Sequence, residues 1–222
     1  MTNAPSHPQG DETSAARDPF ERVGTGTLGM TVFLASLAVL FLATMIGFVI
    51  MLVIFRNQRE AFDPDTGGVR QIEAMPALPD LPAVLWISTV LMLLSSATIQ
   101  WARASVQRGG QRGLRAGMTL TLALGLAFLA LQTMAWLDWN AAVQQIDHDA
   151  YRFGVMSFYV LSMVHAIHVV GGILPMFVTT GRAFAGRYSA TDNAGVRHLA
   201  LYWHFLDVIW VVMFGLMLVF LR

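Results

Sequence analysis

The chain has 222 residues, of which 55% are hydrophobic and only 13% charged, with a formal net charge of zero. Soluble domains carry about twice that share of charge, so the composition points to a membrane protein and leaves no basic surface for nucleic acid. Cysteine is absent, which excludes disulfides, thiolate metal ligation and thiol catalysis.

Residues 1–26 are predicted to form a disordered cytoplasmic tail, polar and containing Pro and Gly, without the apolar stretch and cleavage site of a signal peptide. Residues 27–222 are predicted to be one membrane domain. Five apolar runs follow in it, at 28–55, 81–102, 116–140, 153–180 and 198–221. Each exceeds or approaches the roughly 20 residues a bilayer requires. Backbone groups cannot stay unpaired in lipid, so these runs are predicted to be helices. The fold class is therefore an all-α integral membrane protein with five transmembrane helices. Between the first two runs, residues 57–80 hold Asp63-Pro64-Asp65, Gly67-Gly68, Pro76 and Pro79, which is turn chemistry with no helix or strand period.

All 14 cationic residues are arginine, and their placement sets an orientation. Arg17, Arg22, Arg103, Arg108, Arg112, Arg115, Arg182, Arg187 and Arg197 fall on one side, and Arg56, Arg59, Arg70, Arg152 and Arg222 on the other. The positive-inside rule puts the N-terminus in the cytoplasm and the C-terminus in the periplasm.

Polar groups inside the spans are the candidates for function, because they are costly to place in a bilayer. The fourth span carries Ser162, His165, His168 and Gly172 near one face, and the fifth carries His204 and Asp207, three residues apart. His168 and His204 differ in depth by a few residues, close enough for tilt to join the two helices. Three chemistries would use such groups: an interhelical hydrogen-bond network, bis-His haem b ligation between spans four and five, or proton conduction. Conduction needs a chain of protonatable groups across the membrane, and the interiors of spans one and two contain no charge. Ser88, Ser95, Ser96 and Gln100 in span two, and Thr121, Gly125 and Gln132 in span three, read as helix contacts. Trp101, Trp136, Trp139 and Tyr151 fall near span ends, where aromatic belts lie. Asp138, Asp147, His148 and Asp149 read as a solvated acidic loop, with a surface metal site as the alternative.

These residues together carry a family resemblance. Tyr202-Trp203-His204-Phe205-x-Asp207-Val208-x-Trp210 resembles the signature of subunit III of haem–copper terminal oxidases. The run from His165 through His168 to Gly172 resembles the His-x-x-His-x-x-x-Gly segment of the preceding helix in that family. Leu28-Gly29-Met30 with Phe33-Leu34-Ala35-Ser36, then Leu93-Leu94-Ser95-Ser96, then Leu124-Gly125-x-Ala127-Phe128-x-x-x-Gln132, fall in family order. The resemblance covers residues 27–221 in the five-helix form, without the two extra N-terminal helices of longer members.

The resemblance implies a non-catalytic subunit with no cofactor of its own, the haems and copper being held by partner subunits. It implies oxidase subunit I, and subunit II, as partners in a bacterial inner membrane, with phospholipids bound. It also implies support of assembly and of sustained turnover in aerobic electron transport. The residues expected to form the lipid-binding or structural polar network are His165, His168, Arg197, Tyr202, Trp203, His204, Asp207 and Trp210. His204 and Asp207 are expected to pair with each other and with His168, holding span five against span four. Arg197 is expected to meet lipid phosphate. Two positions depart from the family pattern: Leu37 and Arg197 stand where the family usually carries a Glu. An accessory subunit of a nitric oxide reductase and a small haem b quinol-oxidising protein are the alternatives.

Overall fold

The computed structural model describes residues 19–57, 60–62, 66–71, 81–144 and 152–220. Five helices carry the chain: α1 (Pro19–Asn57), α2 (Val84–Gln107), α3 (Gln111–Val143), α4 (Arg152–Phe184) and α5 (Ala194–Phe220). Each contains a stretch long and apolar enough to cross a membrane, so the all-α membrane fold expected from the sequence is the one observed. The helices overrun the apolar runs because a helix continues until a stop signal appears. After α2 and α4 that signal is glycine. Gly109 (φ 77°) and Gly186 (φ 69°) adopt the left-handed conformation. Around them the amides of Gly110 and Arg187 bond back to the carbonyls of Ser105 and Arg182, which satisfies the helix ends.

Helix α1 begins at Pro19, ahead of the first apolar run, and residues 1–18 lie outside the described residues. The segment between α1 and α2 differs from expectation. It contains an antiparallel pair, β1 (Glu60–Phe62) and β2 (Val69–Gln71), with Glu60 opposite Gln71 and Phe62 opposite Val69. Strands of three residues are too short to show an alternating pattern in sequence.

Helices α2 and α3 form a tight hairpin. Small residues make it possible: a Cβ on Gly117 would lie 2.7 Å from Ala102 Cβ and 2.9 Å from the Thr98 carbonyl oxygen. Thr98 and Thr121 share a hydrogen bond of 2.8 Å across the same seam. From there α3 packs on α4, α4 on α5, and α5 returns to α2, which closes a four-helix ring. Helix α1 lies outside the ring and, among the described residues, packs only on α4 and α5. The core holds Trp139, Trp203, Trp210, Phe41, Phe128 and Phe158, all fully buried. Trp139 was expected at a lipid interface. It is instead inside, 4.8 Å from Phe158 ring to ring, while Trp101 stays half exposed and Tyr151 lies outside the described residues.

Candidate functional site

The Tyr202–Trp210 string of α5 lies where α2, α3, α4 and α5 meet. Gly125 on α3 and Gly172 on α4 clear the space for it. A Cβ on Gly125 would fall 2.9 Å from the Trp203 ring, and one on Gly172 would fall 2.7 Å from Tyr202 and 3.2 Å from Trp203. Into that space the Trp203 indole Nε1 donates to Ser95 Oγ of α2 at 2.8 Å. Two turns on, Trp210 Nε1 donates to Thr89 Oγ1 of α2 at 3.0 Å. Tyr202 points the other way, and its hydroxyl donates to the His168 carbonyl of α4 at 2.8 Å. Thus α5 is stitched to α2 by two indoles and to α4 by one phenol. Each bond satisfies a donor that lipid cannot, and each is worth about 1 kcal/mol.

His204 sits on the half-exposed flank of α5, with Nδ1 2.6 Å from Ser96 Oγ and Nε2 3.4 Å from Gln100 Oε1. Asp207, 4% exposed, lies behind it with Oδ2 3.9 Å from His204 Nδ1 and neither carboxylate oxygen in a hydrogen bond. His204 and Asp207 thus lie together as expected, but their link to His168 is corrected: His204 joins α5 to α2, not to His168 on α4. His168 donates Nδ1–H to its own Val164 carbonyl at 2.7 Å and faces Phe41 of α1, ring centroids 4.9 Å apart. The two imidazoles therefore face different helices, and the haem-ligating pair considered from sequence is not assembled.

His165 is fully buried in an aromatic cage. Its ring lies 5.1 Å from Trp210, 5.9 Å from Phe128 and 6.2 Å from Phe41, and neither nitrogen has a hydrogen-bond partner. It acts as a flat aromatic piece at the junction of α1, α3, α4 and α5. Arg197 reaches across to α1, donating from Nη2 to Thr27 Oγ1 at 3.2 Å. Leu37, at the other departure from the family pattern, is buried in the core, where an aliphatic side chain needs no partner.

Sequence reasoning singled out Ser95, Ser96, Gln100 and Gly125 without their partners, and it missed Thr89 and Phe41. Matching depths would have found Ser96, because it stands 11 residues before the end of α2 and His204 10 residues after the start of α5. No group of three or more His, Cys, Asp or Glu side chains placed to hold a metal occurs among the described residues. The acidic loop at Asp147, His148 and Asp149 lies outside them.

The family described as cytochrome c oxidase subunit III matches residues 9–221. The cytochrome c oxidase subunit 3 of Thermostichus vulcanus is 28% identical over 198 residues, covering 88% of this chain and 87% of that protein. Its counterpart in Synechocystis sp. is 29% identical over 187 residues, covering 84% and 72%. With the longer protein of Pylaiella littoralis the chain is 30% identical over 129 residues, spanning 58% of itself and 45% of that relative.

Proposed function

The chain belongs to the cytochrome c oxidase subunit III family, and from that membership we propose that it is a multi-pass, non-catalytic subunit that packs beside the catalytic subunit of a bacterial terminal oxidase. Haems and copper belong to the partner subunits I and II in this reading, and the chain supports assembly and sustained turnover. The observation that carries the proposal is the match over nearly the whole chain, with Tyr202, Trp203 and Trp210 of the signature buried at the junction of α2, α3, α4 and α5.

The polar side chains of the spans support a structural role. The Tyr202, Trp203 and Trp210 donors and the His204 imidazole spend their hydrogen bonds on neighbouring helices. The arginine distribution supports an orientation with the N-terminus in the cytoplasm and the C-terminus in the periplasm. Arg197 then lies at the cytoplasmic end of α5. Its Nη2 bond to Thr27 leaves other guanidinium donors for a lipid phosphate.

Affinity purification of the tagged chain from native membranes in mild detergent tests the proposal. The expected companions are haem- and copper-containing oxidase subunits. Co-purification of nitric oxide reductase polypeptides instead, or a Soret band that stays with this chain alone, would overturn it.

A further inference from the structure

A groove of about 350 Å³ opens on the flank of the bundle between α3 and α4, away from the Tyr202–Asp207 string. It is lined by residues at positions i, i+3, i+4 and i+7 of both helices, from Leu129 to Trp136 on α3 and from Met163 to Val170 on α4. Met163, Ile167 and Val170 form an exposed apolar rim, and Ala166 and Gln132 lie deepest, at 6% and 1% exposure. The other polar linings are committed: Thr133 donates to the Leu129 carbonyl and Trp136 to Ser162 Oγ. Gln132 differs, because neither its amide nitrogen nor its oxygen has a partner. A buried amide without a partner is costly, and Gln132, beneath the groove it helps to line, carries an unpaired donor and an unpaired acceptor.

We propose that the α3–α4 groove binds a neutral membrane amphiphile, an apolar molecule whose single hydroxyl- or carbonyl-bearing head hydrogen-bonds to Gln132. Three features select that chemistry. The groove spans seven positions of each helix, about 10 Å at 1.5 Å per residue, which seats a head group. A partner helix would need a seam closer to the roughly 30 Å of the hydrocarbon core. Gln132 also lies six residues, about 9 Å, inward of Asp138, the last charged residue of α3. At that depth a phosphate or carboxylate head is strongly disfavoured, whereas an uncharged hydroxyl or carbonyl is not. The volume lies at the low end of the range of small-molecule sites, about 300 to 1,000 Å³. A long-chain alcohol and an isoprenoid quinone share the required head chemistry.

The test is photolabelling of the full chain, in its purified native complex in nanodiscs, with four diazirine probes: a long-chain alcohol, an isoprenoid quinone, an alkane of matched length and a phosphatidylcholine. Labelling of α3 and α4 peptides by the alcohol or the quinone is expected to exceed that by the other two, and the stronger of the first pair identifies the source. Gln132→Leu is expected to lower that labelling about threefold to tenfold, the value of one or two hydrogen bonds in a membrane interior. Ile167→Trp, on the exposed rim, narrows the mouth without touching the amide and is expected to lower labelling by every probe. Equal labelling by alkane or phosphatidylcholine, or no response to Gln132→Leu in a correctly assembled complex, would overturn the proposal. So would a benzophenone side chain at position 167 that captures a neighbouring polypeptide in place of lipid. Recovery of the complex is read in the same samples, so a failed oxidase assignment and an empty groove give different results.

Discussion

Gly125 on α3 stands directly against the indole of Trp203 on α5, with room for a hydrogen and not for a methyl group: a Cβ there would lie 2.9 Å from Cη2 and 3.0 Å from Cζ2. Trp203 cannot give way, because it is fully buried and held by Ser95. Gly125→Ala is therefore expected to destabilise the bundle by about 1–3 kcal/mol, the usual cost of overpacking. Gly47→Ala, at a position with nothing within 4 Å, is expected to be neutral or slightly stabilising. Thermal denaturation of the two variants in detergent measures the difference, and equal midpoints would contradict the close fit.

The indole–hydroxyl bonds make a quantitative prediction. Ser95→Ala and Trp203→Phe each remove one end of the 2.8 Å bond between α2 and α5. The double-mutant cycle is expected to give a coupling of about 0.5–1.5 kcal/mol, while the cycle of Ser95 with Trp210, which bonds Thr89, is expected near zero. A Ser95–Trp210 coupling as large as that of Ser95–Trp203 would show that the two indoles do not act separately.

His165 supplies shape without hydrogen bonding. Neither ring nitrogen has a partner, and the ring packs among Phe41, Phe128 and Trp210. His165→Phe keeps the ring and removes two unsatisfied polar atoms, so stability is expected to hold or rise by up to about 1 kcal/mol. His165→Ala leaves a void in the cage and is expected to cost about 2–5 kcal/mol. Melting curves of both variants decide; a Phe variant as damaged as the Ala variant would mean that the imidazole nitrogens matter.

Arg197 carries the proposed lipid contact. Arg197→Ala is expected to weaken retention of anionic phospholipid by roughly fivefold, corresponding to about 1 kcal/mol per basic residue at the membrane surface. Arg197→Lys, which keeps the charge, is expected to retain most of it. Native mass spectrometry of the purified complex counts the bound lipids, and identical lipid content in wild type and Arg197→Ala would remove the contact.

The five spans were legible from hydropathy because lipid imposes a length and forbids charge, and neither demand depends on tertiary context. The partners were not. Periodicity places Ser162, His165 and His168 on one face of α4 but does not say which helix that face meets. Chain neighbours were the natural guess for His204, and ring closure between α5 and α2 defeats it. Depth carries the missing information: His168 lies 16 residues before the end of α4, against 10 residues for His204 from the start of α5, a mismatch of about 9 Å at 1.5 Å per residue. Trp139 was misplaced for a related reason. Nothing in its sequence neighbourhood distinguishes an aromatic belt from an aromatic core packed on Phe158.

Of the five helices α1 precedes the rest in the chain and, among the described residues, packs only on α4 and α5, the last two. During synthesis it enters the bilayer before the two helices it packs on, with α2 and α3 inserted in between. Its membrane stretch has the highest hydropathy of the five, 3.0 against 1.5 to 2.0. That composition suits a segment that has to be content with lipid alone. A ribosome that stopped before α5 would leave α1 with one of its two docking surfaces missing, and such a product would be an easy mark for membrane quality-control proteases.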